Sequence, residues 1–243
     1  MDRFPMPLQQ EPEGNEDVEK PAVVFSNRGM MVIQKPPGWE VDSMTNDTDA
    51  LCLSKFLQHY FTKQTSLLIH DSSYGFGFIH RLDVASSGLV LIALTMEGLL
   101  ALQWQKSLYL IGRDYVVVSY DLEVGGQRRC IDAKVAVPRA KVTRTLTEDR
   151  GLPASSHVLT QAHLHGGDLA SGMRLSKLVI RIHTGRRHQI RAHTRLVGHP
   201  TACDGWYAPA AVSVSRAVLR TRVPTRAWVR TPRWEGELTA PPP

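Results

Sequence analysis

At 243 residues, with 42% hydrophobic and 21% charged side chains, the chain has the length and composition of one large soluble domain or two small ones, enough to bury a core. No apolar run approaches the roughly 20 residues a membrane span needs, and the N-terminus has neither an apolar signal core nor the arginine content of an import peptide. The three scattered cysteines, Cys52, Cys130 and Cys203, argue against a disulfide framework or a cysteine-based metal site and for a reducing compartment, in the first place the cytoplasm.

Residues 1–20 are acidic and almost free of large apolar side chains after Leu8, so they read as a disordered tail. Structure is expected from about Ala22. The runs Ala22–Phe25 and Met30–Ile33 flank Ser26-Asn27-Arg28-Gly29 as a hairpin, and Lys35-Pro36-Pro37-Gly38 ends its second strand, because proline cannot donate to a ladder. Residues 40–49 read as loop. A helix capped by Asp49 is expected to run to about Tyr60. His70 to Gly77 reads as a loop delivering the chain to Ile79-His80-Arg81-Leu82-Asp83-Val84-Ala85-Ser86-Ser87-Gly88, after which Leu89–Leu94 reads as a strand buried on both faces. Asp83 is thereby placed on a polar loop at the mouth of a core strand. Taken alone, the residue fits an Asx-turn; taken with the scaffold beside it, it fits a reactive carboxylate.

Thr95 is a natural N-cap for a helix to about Ser107. Arg113–Tyr120 is a strand by its β-branched and aromatic content, and Gly125-Gly126 a turn. Residues 138–173 are weakly patterned and too long for a structureless loop, so they should hold short strands or an insertion. Leu178, Ile180 and Ile182 alternate with Lys177, Val179 and Arg181 as a half-buried strand. Thr184 then looks like the N-cap, and Gly198 with Pro200 the stop, of a helix carrying Arg187, Arg191 and Arg195 at four-residue spacing. Arginines at a helix start beside free amides suit an anion; three like charges at that spacing repel, so at least one should meet a carboxylate or a bound anion. His183, His188 and His193 repeat every five residues. On a helix that turns successive rings about 140° apart, and on a strand it alternates faces, so no metal site is expected from them.

Charge is distributed unevenly. Residues 1–20 carry −4, whereas Arg174 to Arg233 holds thirteen Lys and Arg against the single acid Asp204. A field that lopsided suits a polyanion, nucleic acid first.

The motifs then point to one family. His80-Arg81-Leu82-Asp83 with Ser86-Ser87-Gly88-Leu89 resembles the catalytic motif of the RluA-type pseudouridine synthases; Ser86 stands where that family usually has Thr, and a hydroxyl is kept. Thr184-Gly185-Arg186-Arg187-His188-Gln189-Ile190-Arg191-Ala192-His193, with Gly198-His199-Pro200, Asp204 and Tyr207 downstream, is similar to its later motif. Lys35-Pro36-Pro37-Gly38 resembles its N-terminal motif, and Tyr115 falls where it keeps an active-site tyrosine. Ala217-Val218-Leu219-Arg220 departs from a Leu-His pair in the family pattern.

The resemblance implies an α+β pseudouridine synthase fold over residues 21–240: a mixed, mainly antiparallel sheet in two halves, with peripheral helices and a central cleft. It implies isomerisation of uridine to pseudouridine in structured RNA, ribosomal or transfer, by a monomer without cofactor, metal or membrane. Asp83 would be the catalytic carboxylate, Arg191 its ion-pair partner and Tyr115 a stacking residue against the target base. Arg81 would fill the gap left by a flipped uridine, and Arg186, Arg187, His188 and Gln189 would contact RNA. The alternatives are a non-catalytic RNA-binding protein on the same fold and a carboxylate hydrolase of nucleic acid, which would need a second acid or a metal cluster near Asp83.

Overall fold

A computed structural model of the chain describes residues 19–42, 51–120, 129–136, 145–164 and 175–208. The expected acidic tail, the loop at 43–49, the Gly125-Gly126 turn and most of the basic C-terminal third lie outside these residues.

The N-terminal half is a three-stranded antiparallel sheet of β1 (Ala22–Ser26), β2 (Met30–Lys35) and β3 (Gly88–Ala93), with β2 in the middle. The hairpin turn forms because the Asn27 side chain accepts from the Gly29 and Met30 amides at 3.0 and 2.9 Å. Along β2 the alternation of strand geometry buries Met31, Ile33 and, at its end, Lys35. One face of the sheet packs Met31, Ile33, Val90 and Ile92 against Leu53 and Leu57 of helix α1 (Leu53–Tyr60). The other packs Ala93 and Leu91 against Leu99 and Leu102 of helix α2 (Met96–Ser107), whose first turn is capped by the Thr95 hydroxyl accepting from the Gly98 amide at 3.1 Å.

Three expectations are corrected here. β3 is buried on both faces only in its second half; Leu89 is 54% exposed, because β3 is an edge strand of an antiparallel sheet. Helix α1 begins at Leu53 with Cys52 in the cap position, not at Asp49. The stretch from Leu68 to Gly77 is two short 3-10 segments (Leu68–His70 and Ser72–Gly77), the second capped by Asp71, whose carboxylate accepts from the Ser73 amide.

The C-terminal half is a four-stranded antiparallel sheet in the order β4 (Arg113–Tyr120), β9 (Leu175–Ile182), β8 (Ser155–Leu164), β5 (Arg129–Asp132), with a small ladder of β6 (Val135–Ala136) and β7 (Leu146–Thr147) beside it. Leu178, Ile180 and Ile182 of β9 face inward with Val158, Tyr115 and Val117, and Ile190 and Val197 from helix α3 (Gln189–Leu196) and its end close that core. The weakly patterned stretch holds β7 and β8, and β8 is ten residues long.

Helix α3 starts five residues later than its apparent cap. Thr184 is drawn elsewhere: its hydroxyl donates to Gln189 Oε1 at 2.9 Å and accepts from the Ser155 amide at 3.1 Å. His188, at φ 51°, occupies the cap position, so Arg187 lies outside the helix and only Arg191 and Arg195 ride on it. The three spaced histidines lie on different elements and meet different partners: His183 follows β9 and stands edge-on to Tyr109 and His157, His188 lies beside Tyr207, and His193 in α3 bonds the Ser156 hydroxyl and the Ala133 carbonyl. Among the described residues no group of three or more His, Cys, Asp or Glu is placed to hold a metal ion.

Candidate active site

Asp83 sits on the loop between Ile79 and Gly88, and backbone bonds shape that loop. The Ser86 amide donates to the Asp83 carbonyl at 2.9 Å, and the Gly38 amide donates to the Val84 carbonyl at 2.8 Å. Lys35 clamps the same place from below. Its buried ammonium donates to the carbonyls of Pro36, Trp39 and Val84 at 2.9, 2.8 and 3.2 Å. Burial pushes the Lys35 ammonium down to about 8, against the pull of the Asp83 charge. The Lys35-Pro36-Pro37-Gly38 segment, read from sequence as a strand stop, is therefore also the floor under Asp83.

From the other half, α3 brings Arg191 across. Its Nη1 donates to Asp83 Oδ2 at 3.1 Å. Its remaining fork is taken by Asp204: Nε donates to Oδ2 at 2.6 Å and Nη2 to Oδ1 at 2.7 Å. Asp204 is itself fixed by the Thr201 hydroxyl at 2.8 Å and the Trp206 amide at 3.2 Å. Burial works to raise its pKa, but the guanidinium and the hydroxyl outweigh burial and hold it below the usual carboxylate value of 3.8. Burial opposes the charge on Arg191 too, and the two carboxylates more than offset it. The guanidinium lies over the rings of Tyr207 and Trp206, 4.8 and 5.4 Å from their centroids. One arginine is thus held rigidly by a buried carboxylate and offers its free edge to an accessible one.

His188 and Tyr207 complete the wall. His188 Nε2 lies 3.9 Å from Asp83 Oδ2 and its Nδ1 3.1 Å from the Tyr207 hydroxyl. That hydroxyl donates to the Thr145 carbonyl at 2.9 Å and accepts from the Thr145 amide at 2.7 Å. Burial lowers the His188 pKa, helped by Arg191 and Arg187 against Asp83 and Asp204. Tyr115 on β4 is half-buried in the same core as Ile190; burial raises its hydroxyl pKa, with Arg113 pulling down and the Asp83 charge adding to the rise.

The structure brings Asp83, Arg191 and His188 together directly, and the charge of Asp83 is felt at Tyr115. Arg81 points outward, 67% exposed at its side chain, with its Nε 3.0 Å from Asp42. Arg186 and Arg187 are exposed in the turn before α3, where Arg186 Nε donates to the Pro153 carbonyl at 3.1 Å. Gln189 does not face solvent, contrary to its expected contact with RNA. It is 2% exposed; its amide nitrogen donates to the Ser155 carbonyl and Ser156 hydroxyl, and its oxygen accepts from Thr184 and the Arg186 amide. It shapes the turn that presents the arginines.

Three participants carried no role from sequence reasoning: Lys35, Asp204 and Tyr207. Asp204 did have a signal, as the single acid among thirteen bases. A hydrolytic site would need a second acid near Asp83; Asp204 is near, but Arg191 stands between the two carboxylates.

Residues 29–196 match the model of a family described as RNA pseudouridylate synthase. The chain is 29% identical over 220 residues to a ribosomal large subunit pseudouridine synthase D of Nitrosomonas europaea, covering 90% of this chain and 58% of that protein. It is 28% identical over 204 residues to the mouse RNA pseudouridylate synthase domain-containing protein 1, covering 79% of this chain and 62% of that one. The chain thus spans little more than half the length of the curated relatives it matches. The fold is similar to the solved structure of human RNA Pseudouridylate Synthase Domain Containing 1, with a TM-score of 0.59 at 23% identity over 84% of this chain and 74% of that one. The α+β architecture in two antiparallel sheets is therefore that of the pseudouridine synthase fold.

Proposed function

The chain belongs to the RNA pseudouridylate synthase family, and from that premise we propose that it isomerises uridine to pseudouridine in structured RNA, with ribosomal or transfer RNA as substrate. The catalytic domain is residues 21–240, working as a monomer in a reducing compartment, in the first place the cytoplasm. No helix among the described residues is long and apolar enough to cross a membrane.

The reaction breaks the bond from C1′ to N1 of uracil, turns the base, and joins C1′ to C5. N1 gains a proton and C5 loses one, so the atoms balance without a co-reactant. Asp83 supplies the carboxylate, as nucleophile at C1′ or as the base that opens a glycal route. Arg191 orients that carboxylate. Tyr115 stacks on the base and borders the C5 proton. Arg81 fills the space left by the flipped nucleotide, and Arg186 and Arg187 hold backbone phosphates. His188 belongs with Asp83 rather than with the RNA chain. The observation that carries this reading is the bond from Arg191 Nη1 to Asp83 Oδ2 at 3.1 Å, with the other edge of the guanidinium locked by Asp204.

Tritium at uracil C5 tests it, because rejoining through C5 releases that atom to water. Bulk ribosomal and transfer RNA labelled at C5 should lose tritium with the wild-type chain and keep it with Asp83→Asn. Absence of release from either RNA class with folded wild-type protein refutes the assignment.

A further inference from the structure

We propose that His188 is the base of the Asp83 centre, its Nε2 accepting the proton that C5 of uracil gives up; the inference rests on the isomerase reading above.

The bonds around Tyr207 decide which ring nitrogen is free. The Tyr207 hydroxyl has one hydrogen, and it goes to the Thr145 carbonyl at 2.9 Å. The phenol oxygen accepts from the Thr145 amide at 2.7 Å and has a lone pair left for His188 Nδ1 at 3.1 Å. Nδ1 therefore carries the imidazole hydrogen, and Nε2 of the neutral ring presents a lone pair. That lone pair faces Asp83 Oδ2 across 3.9 Å, beyond hydrogen-bond reach, as two acceptors with no proton between them should stand.

The backbone points to the same side chain. His188 sits at φ 51°, where glycine is at ease and histidine strained, and its side chain makes no capping bond to α3. Strain of that kind persists where function holds it. The side chain is 8% exposed, walled by the rings of Trp206 and Tyr207 at 5.7 and 5.9 Å. The charged groups around it are Asp83 from its loop, Arg187 from the turn before α3, Arg191 from α3 and Asp204 beyond α3. Burial and the two arginines outweigh the two carboxylates and lower the imidazole below its ordinary 6.5, so it is uncharged at physiological pH and able to accept. Among the described residues of the centre, the alternatives are poor: Arg191 and the Lys35 ammonium only donate, both Asp204 oxygens are bonded, and burial keeps the proton on Tyr115.

The reaction brings the proton to this place. Once C5 is joined to C1′, it stands where N1 had been, one bond from the atom that Asp83 addresses. The C5–H bond then breaks and the proton goes to Nε2. Its electron pair restores the C5–C6 double bond and moves the pair of the N1–C6 double bond onto N1. N1 takes a proton from water and the imidazolium returns one to water, so the balance closes.

Tritium release from RNA labelled at uracil C5 is the assay. His188→Asn keeps a donor at the Nδ1 position for Tyr207, tolerates the left-handed backbone and has no base at Nε2. Its kcat should fall about a hundredfold, within the range of general base catalysis, with KM for RNA little changed. Wild-type kcat should fall as pH drops below 6.5, and the residual kcat of His188→Asn should lack that limb. His188→Gly suits the same φ and leaves a hole of imidazole size, so added imidazole should restore turnover in proportion to its unprotonated fraction. Near-wild-type kcat in His188→Asn, an unchanged acid limb, a loss confined to KM, no rescue of His188→Gly, or failure of both variants to fold overturns the assignment. Tritium release by the wild type beside any of these leaves the isomerase reading standing. Folded, RNA-binding wild-type protein that releases no tritium from any RNA class defeats the isomerase reading itself, and the base with it.

Discussion

Asp204 and Arg191 show what one ion pair does for a carboxylate beside it. Arg191 reaches Asp83 with one nitrogen because Asp204 uses its other edge bidentately. Arg191→Lys keeps the charge and loses the fork, so turnover should fall about a hundredfold, the scale of a misplaced catalytic group, with KM for RNA changed far less; an equal loss in both would make Arg191 a binding residue. Asp204→Asn should cost about 1.5–3 kcal/mol of stability, the worth of hydrogen bonds to a charged group. The sign with pH follows from its depressed pKa. The stabilisation is present above the ordinary carboxylate value of 3.8 and is lost as pH falls through the lower folded value. Urea melts of the two proteins should therefore differ at neutral pH and converge in acid. His80 runs from the other direction. Burial, with Arg113 and Lys106, lowers it from 6.5 to about 4, so the unfolded chain takes up a proton that the fold refuses. Stability should drop by about 3 kcal/mol as pH falls from 6.5 to 4 and level off below. His80→Gln should remove that part of the slope, and an unchanged slope would contradict the burial argument.

At the scale of elements, what is local was legible and what is long-range was not. The β1–β2 hairpin and the α2 cap rest on contacts within four residues, Asn27 to Met30 and Thr95 to Gly98, and both were readable from the sequence. The long strand β8 was not, because its partners β5 and β9 are set by pairing across the sheet and its own pattern is diluted by Ser, Thr, Gln and His. The start of α3 departs from its sequence signal because the Thr184 hydroxyl is claimed by Gln189, a contact that only the folded turn creates. The meeting of Asp83 and Arg191, 108 residues apart, was expected from family resemblance; no local pattern contains it. Gly98 gives a test in which helix propensity and packing disagree in sign. Alanine there should favour α2 by up to about 1 kcal/mol on propensity. In the fold its Cβ would come within 2.1 Å of the Gly29 carbonyl oxygen, where α2 meets the hairpin turn. We expect Gly98→Ala to lower the thermal midpoint, by roughly 1–3 kcal/mol of overpacking; a raised midpoint would mean the contact relaxes freely.

Over the described residues, the three-stranded and four-stranded antiparallel sheets each cover their own core, and the candidate site lies where the two halves meet. The N-terminal half contributes a carboxylate on a clamped loop, and the C-terminal half contributes the arginine that orients it. The sequence from Arg174 to Arg233 carries thirteen bases to one acid, a balance that suits a partner with a phosphate backbone. Binding should therefore weaken steeply with salt whatever the sequence of the RNA, whereas isomerisation should depend on one carboxylate. Asp83→Asn is close to isosteric and should leave fold and binding nearly intact. The most direct measurement is to treat total RNA with the wild-type chain and with Asp83→Asn, and to map pseudouridine by chemical derivatisation and reverse-transcription stops. Sites that appear only with the wild type are the predicted result and would name the substrate. Folded, RNA-binding wild-type protein that creates no site in any RNA class, or an Asp83→Asn variant that creates the same sites, would contradict the account.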